Sequence, residues 1–241
     1  MAETATGGVR GTLYIVATPI GNLEDMTFRA VEVLRRAGII ACEDTRQTLK
    51  LVTRFGLRAR LISYYQPREG QRVPLFLGLL KEDRGVALVS GLGTPGISAP
   101  GFRLIREAIR EGVRIVPVPG PSAVIAALSA SGLATHRFLF LGFPPPKRDK
   151  LRRFLEPLRK EEGTMVFYLP ARKVGAFLEQ AAEAFGSRET VIARELTKVH
   201  EEFLRGPADE IRDRLKGLNL KGEAVVLIAG TGKIKAASEG D

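Results

Sequence analysis

The sequence has no tryptophan, one cysteine and two histidines among 241 residues, and each shortage closes off a class of protein. A lone Cys42 cannot build a disulfide framework, so a reducing cytoplasm is the expected compartment. Inside the apolar run at 38–42 it reads as a small buried hydrophobe. Two isolated histidines, His136 and His200, give none of the paired spacings of a metal site, so no metal is expected. Aromatic residues make up 7% of the chain, too few for a strong base-stacking platform. Apolar runs are broken by proline, glycine or charge well short of the about 20 residues that cross a bilayer, so no membrane partner is expected. The opening ten residues lack the basic stretch and apolar core of a signal peptide. Asparagine is confined to Asn22 and Asn219, and with abundant Arg, Glu, Leu and Ala this leans toward a heat-tolerant composition.

What the chain does have is positive charge. Lysine and arginine number 37 against 27 acids, a net charge of +10, and a field of that sign raises encounter rates with polyanions such as nucleic acid. A hydrophobic content of 44% in a chain of this length supports one large core or two modest ones.

Short apolar runs alternate with amphipathic segments through the first half. Strands are expected at 12–17, 38–42, 59–65, 85–90 and 113–118, with helices at 27–37, 45–55, 71–83 and 101–112. That alternation predicts a parallel sheet covered by helices. In the second half, strands are expected at 137–143, 163–169, 190–197, 201–206 and 223–230, with helices at 150–161, 174–185 and 208–218. The strands at 190–197 and 201–206 are separated by a short polar turn, which suits antiparallel pairing and a mixed sheet. Pro117, Pro119 and Pro121 around Gly120 make a stiff connector. The expected organisation is therefore an α/β domain over 11–118, a second α/β domain over 119–232, flexible tails at 1–10 and 233–241, and a ligand cleft between the domains.

Three glycine- and proline-rich loops fall at expected strand ends, at 18–26, 90–101 and 117–123, where ligands of parallel sheets bind. The middle loop, SGLGTPGISAPG, contains a literal G-x-G-x-x-G at Gly91, Gly93 and Gly96. A dinucleotide site also needs a helix opening at once and an acid roughly 20 positions on. Pro95 and Pro100 disfavour the first, and the residues around Val116 are apolar where the acid should be. The loop reads as a rigid turn that lets a ligand approach the backbone, but not NAD. At 41–46, ACEDTR places Glu43, Asp44 and Arg46 at a strand end. Asp44 can simply cap the following helix, or the acids can handle a proton. His200 can act as a base at neutral pH or sit in a solvated turn with Lys198; His136 carries no expected role. Lys147, Arg148, Lys150, Arg152 and Arg153 form a one-sided basic run that suits RNA phosphates or an ordinary wet helix face.

The runs LYIVATPIGNLEDMTFRAVEVL, ACEDTR, GTPGIS, PGPSAVIAALSASGL, RFLFLGFPPPK, ARELTKVHEEFLRG and KGEAVVLIAG occur in this order. Together they resemble the ribosomal RNA small subunit methyltransferase I family of the tetrapyrrole methylase superfamily, over nearly all of 11–230. The resemblance implies two α/β domains with S-adenosylmethionine between them, a homodimer, and methylation of a cytidine ribose 2′-hydroxyl in small-subunit ribosomal RNA, as naked RNA or within an assembled subunit. It implies cofactor contacts from Pro19, from Gly91, Leu92, Gly93, Thr94 and Pro95, and from Ser122 and Ala123 at a helix start. In the second domain it implies contacts from Tyr168, Leu169, Arg194, Glu195, Leu196, Glu223 and Ala224. Glu43, Asp44 and His200 are then catalytic candidates, and Arg46, Lys198 and the basic run are RNA contacts. The chain departs from the family pattern at Gly91 and Ala99, where relatives carry aspartate, after Tyr65, where a His-Asn-Glu element is usual, and at 168–173, where an acid and a histidine are lost. Two other readings follow: an RNA-binding member without turnover, and a small-molecule tetrapyrrole methylase, against which the basic run weighs.

Overall fold

The computed structural model describes residues 11–232, so the expected flexible tails at 1–10 and 233–241 lie outside the described residues. The chain divides into two compact units, with Ser122 the last residue of the first and Ala123 the first of the second.

In the first unit the strands are β1 (Thr12–Val16), β2 (Ile39–Cys42), β3 (Arg60–Ser63), β4 (Val86–Val89) and β5 (Arg114–Val118). They form one parallel sheet in the order β3-β2-β4-β1-β5. β2 and β4 are apolar and buried along their whole length, as strands covered on both faces must be. α1 (Phe28–Ala37) and α2 (Thr45–Arg54) pack on one face through Leu34, Leu51 and Val52 against Ile40 and Val89. α3 (Glu69–Lys81) and α4 (Phe102–Arg110) pack on the other through Phe76, Leu80 and Leu104 against Ile39 and Leu88. The chain leaves β1 and β2 toward one face and β4 toward the other, so a crevice opens at the carboxyl ends of the strands flanking β4. Cys42 is buried at the end of β2, where its thiol points at the Ile62 carbonyl and burial pushes its pKa up.

The second unit opens with α5 (Ala123–Ser129) and contains β6 (Phe138–Gly142), α6 (Arg148–Leu155), β7 (Thr164–Pro170), α7 (Val174–Phe185), β8 (Glu189–Arg194), β9 (Glu202–Pro207), α8 (Ala208–Arg214) and β10 (Glu223–Ile228). Its sheet runs β6-β7-β10-β8-β9, parallel only between β6 and β7. The mixed sheet and the antiparallel β8–β9 pair match the sequence pattern. Phe167, Phe177, Leu155, Ile211 and Val226 meet in one core under α6, α7 and α8.

Two expected boundaries are corrected. The helix expected over 150–161 ends at Leu155 and continues as a 3₁₀ turn, Glu156–Lys160, because Pro157 has no amide to donate and its ring disfavours an α-helical interior. The strand expected over 190–197 ends at Arg194. Glu195 and Thr197 adopt left-handed backbones, with φ of 51° and 66°, which no strand accommodates.

A buried carboxylate joins three elements of the first unit. Glu69, 7% exposed, accepts hydrogen bonds from the Tyr64 hydroxyl at 2.7 Å and from the amides of Gly101 at 3.1 Å and Arg103 at 3.2 Å. Tyr64, fully buried, in turn accepts from the Leu104 amide at 3.2 Å. The α4 N-terminus begins at a glycine and has no capping side chain of its own, so these two residues supply the cap from a distance, with the negative charge suited to the positive end of the helix. Glu69→Ala should leave two amides and a hydroxyl without partners and lower stability by roughly 2–4 kcal/mol, whereas Tyr64→Phe should cost about 1–2 kcal/mol. Urea unfolding measures both, and equal losses would contradict the central place given to Glu69.

Candidate active site

At the carboxyl edge of the first sheet, the loops after β1 and β4 are tied together by main-chain atoms. Thr18 and Gly93 exchange reciprocal amide–carbonyl bonds of 3.0 Å each. The Ser90 hydroxyl shares its proton between the carbonyls of Leu92 at 3.1 Å and Gly93 at 3.0 Å, and the Thr18 hydroxyl lies 3.4 Å from the Ser90 carbonyl. The loop is thereby held in one shape, while the amides of Leu92 and Thr94 and the hydroxyls of Thr94 and Ser122 find no partner among the described residues. Pro95 has no amide. A rigid turn with free donors is a ready receptor for acceptor atoms.

The α2 side of this edge is acidic at its start. Asp44 is the N-cap, accepting from the Arg46 amide at 2.8 Å and the Gln47 amide at 3.4 Å. These amides, led by that of Arg46, hold its carboxyl below the ordinary range. Arg46 pairs loosely with it at 3.5 Å and is otherwise in solvent. Glu43 accepts from the Gly91 amide at 3.3 Å. A pocket of about 230 Å³ opens here, lined among others by Thr18, Pro19, Gln47, Lys50, Ser90 and Gly91.

In the second unit, register sets the expected residues side by side. Leu169 of β7, Ala224 of β10 and Arg194 of β8 form one row across three strands, with Tyr168 and Glu223 next to it. Phe140 and Phe143 hold the Tyr168 ring, at centroid distances of 4.9 and 5.4 Å. Burial raises the pKa of its hydroxyl, which receives the Val124 amide, so one amide at the start of α5, just after Ala123, is already used. Arg194 is bound to Glu202 at 2.8 Å. The Glu195 carboxylate takes the Lys198 ammonium at 2.9 Å and the Glu223 amide at 3.0 Å. Its close approach requires Gly222, where a Cβ would lie 2.1 Å from the Glu195 oxygen. Leu196 is buried beside it. His200 is exposed in the turn before β9. On α6, Leu151 and Leu155 face the core and the basic residues face solvent. Arg148 is paired with Glu183 at 3.2 Å, and Arg153 donates to the Asp149 carbonyl, while Lys147, Lys150 and Arg152 form no ion pair among the described residues.

Residues 12–212 match the tetrapyrrole (corrin/porphyrin) methylases. The chain belongs to the tetrapyrrole methylase family. Within it, the chain is 42% identical, over 93% of its length and 78% of the relative's, to ribosomal RNA small subunit methyltransferase I of Halalkalibacterium halodurans. It is 41% identical to the protein of the same name from Thermotoga maritima, over 91% and 99% of the two chains. Among solved structures, uroporphyrin-III C-methyltransferase from Thermus thermophilus, complexed with S-adenosylhomocysteine, superposes with a TM-score of 0.62 at 19% identity, over 90% of this chain and 97% of that one. The tetrapyrrole methylase fold accounts for both sheets.

In this methylase the first unit gathers Pro19, Glu43, Gly91 and Leu92 at one edge, and the second gathers Tyr168, Leu169, Arg194, Glu195, Glu223 and Ala224 at another. Asp44 proves to be a helix cap, and Lys198 is committed to Glu195. Sequence reasoning missed Gln47 and Lys50. The signal was present: once Asp44 caps α2, positions 47 and 50 are three apart on one face of the helix.

Two expectations follow. The Lys198 ammonium, first among its partners, holds the Glu195 pKa below its ordinary 4.5. Its contribution to stability is therefore complete above that value and lost as pH falls through the depressed one. Glu195→Gln should lower stability at neutral pH and flatten the acid limb of the stability–pH curve. At Gly91, a Cβ would meet only the movable Gln47 amide at 3.2 Å and the Glu43 carboxylate at 3.5 Å. Gly91→Ala should be nearly neutral, whereas Gly91→Asp, facing Glu43, should cost about 1 kcal/mol, relieved by Glu43→Gln. A double-mutant cycle with no coupling between positions 43 and 91 would refute this geometry.

Proposed function

We propose that the protein is an S-adenosylmethionine-dependent methyltransferase that modifies the 2′-hydroxyl of a cytidine ribose in small-subunit ribosomal RNA, working as a homodimer in the cytoplasm. The observation that carries the reading is the braced 90–95 loop, whose free Leu92 and Thr94 amides and Thr94 hydroxyl stand at the strand ends of a chain 42% identical to enzymes of that name. The donor set suits the carboxylate, ribose and adenine acceptors of this cofactor, and the missing side chain at Gly91 leaves the backbone open to close approach. When bound, S-adenosylmethionine supplies a methyl group already activated on a sulfonium.

The protein's own tasks are then positioning and proton handling. Fixed main-chain donors hold a reactant at near-attack distance, which can supply a large share of the acceleration. Of the three candidate bases, Asp44 is weakened by its capping role and lowered pKa. Glu43, exposed and accepting from the amide of Gly91, is the better-placed acceptor for the ribose proton, and His200 belongs to a turn of the second unit. The unpaired Lys147, Lys150 and Arg152 suit the RNA backbone. The absence of carboxylates at Gly91 and Ala99 favours one other reading, an RNA-binding protein without turnover. Incubation with labelled S-adenosylmethionine and undermodified small subunits should place label on one ribose, and calorimetry should detect S-adenosylhomocysteine. RNA binding with neither signal would establish the alternative.

A further inference from the structure

We propose that the pocket beside α2 receives the unstacked base of the acceptor nucleotide, with Gln47 on its hydrogen-bonding edge and Lys50 on an adjoining phosphate; this rests on the methyl-transfer reading above. Gln47 and Lys50 both line the pocket, and neither head group has a hydrogen bond or ion pair among the described residues. Arg46, one residue before, is by contrast paired with Asp44. Unpaired polar groups aimed into one cavity are what a recognition site holds in reserve.

The volume suits one nucleobase and not a larger ligand. The pocket, about 230 Å³, falls below the roughly 300–1,000 Å³ that drug-sized ligands fill. Leu23 and Leu92, each 39% exposed, offer aliphatic surfaces on its wall, and extruded bases are held between such apolar side chains. Gly91 contributes no side chain, so nothing covers the Gln47 amide, which would otherwise lie 3.2 Å from a Cβ. A glutamine amide presents a donor and an acceptor side by side, which complements the adjacent N3 acceptor and N4 donor of cytosine.

Charge separates acceptor from donor. A free ammonium at Lys50 opposes a sulfonium cation placed in the same cavity and attracts a phosphate. The cofactor's contacts are accordingly assigned to the free amides of Leu92 and Thr94, and the pocket to RNA.

The test uses the full chain, a short oligocytidine and a matched abasic oligonucleotide as probes, and S-adenosylhomocysteine. Gln47→Leu should weaken oligocytidine binding about tenfold and binding of the abasic strand, which has no base edge to bond, little. Lys50→Ala should weaken both alike and lower the slope of log affinity against log salt by about one. Both variants should bind S-adenosylhomocysteine as the parent does and raise KM for small subunits more than they lower kcat. Both positions are solvent-facing on α2, and an unchanged Tm verifies the fold. Unchanged oligonucleotide binding, or a weakened S-adenosylhomocysteine affinity, would overturn the assignment. A parent protein that binds oligocytidine through these residues yet transfers no methyl group would overturn the proposed function and leave the pocket assignment standing.

Discussion

The reciprocal pairing of Thr18 with Gly93 is the constraint on which the active edge depends. Parallel strands end without a turn to join them, so loops leaving β1 and β4 toward opposite faces would otherwise splay apart. Two short main-chain bonds, reinforced by the Ser90 and Thr18 hydroxyls, bring them back into register beyond the last sheet residue. The clamp consumes the donors and acceptors of Thr18 and Gly93, while the amides of the flanking Leu92 and Thr94 are left without a partner among the described residues. Rigidity and availability thus arise from the same few atoms, and the cost of ordering the loop is met in folding rather than in binding.

The acids follow a common pattern. Asp44 caps α2, Glu69 caps α4 from another element, Glu43 takes the Gly91 amide, and Glu195 takes the Glu223 amide. Each carboxylate satisfies a main-chain donor that a turn or helix start would leave bare. Cations such as Lys50, Lys147, Lys150 and Arg152 have no counterion among the described residues. The net positive charge is therefore concentrated in side chains that remain available to an external anion.

Periodicity and composition were enough to place every strand of both sheets and the parallel or mixed character of each, because strands buried on both faces leave unbroken apolar runs and Asp44 reads as a cap for the helix that follows it. Boundaries failed where a local interaction overrode the pattern. Glu195 and Thr197 belong to a β-favouring run but curl into left-handed geometry under the pull of Glu195 on Lys198 and Glu223. The Glu69 network was invisible because its members come from three separated segments, and no local spacing encodes a carboxylate capping a helix that begins 33 residues later. Gln47 and Lys50 were hidden for a different reason: alone on a helix they look like ordinary solvated residues, and only the loops beyond β1 and β4 turn their face into a pocket.

All five strands of the first sheet precede Ser122, and all five of the second follow it. No strand of the first unit waits for a partner encoded later in the message. The amino-terminal unit, with its clamp and its crevice, can therefore finish assembling on a translating ribosome while the carboxyl-terminal half is still being polymerised.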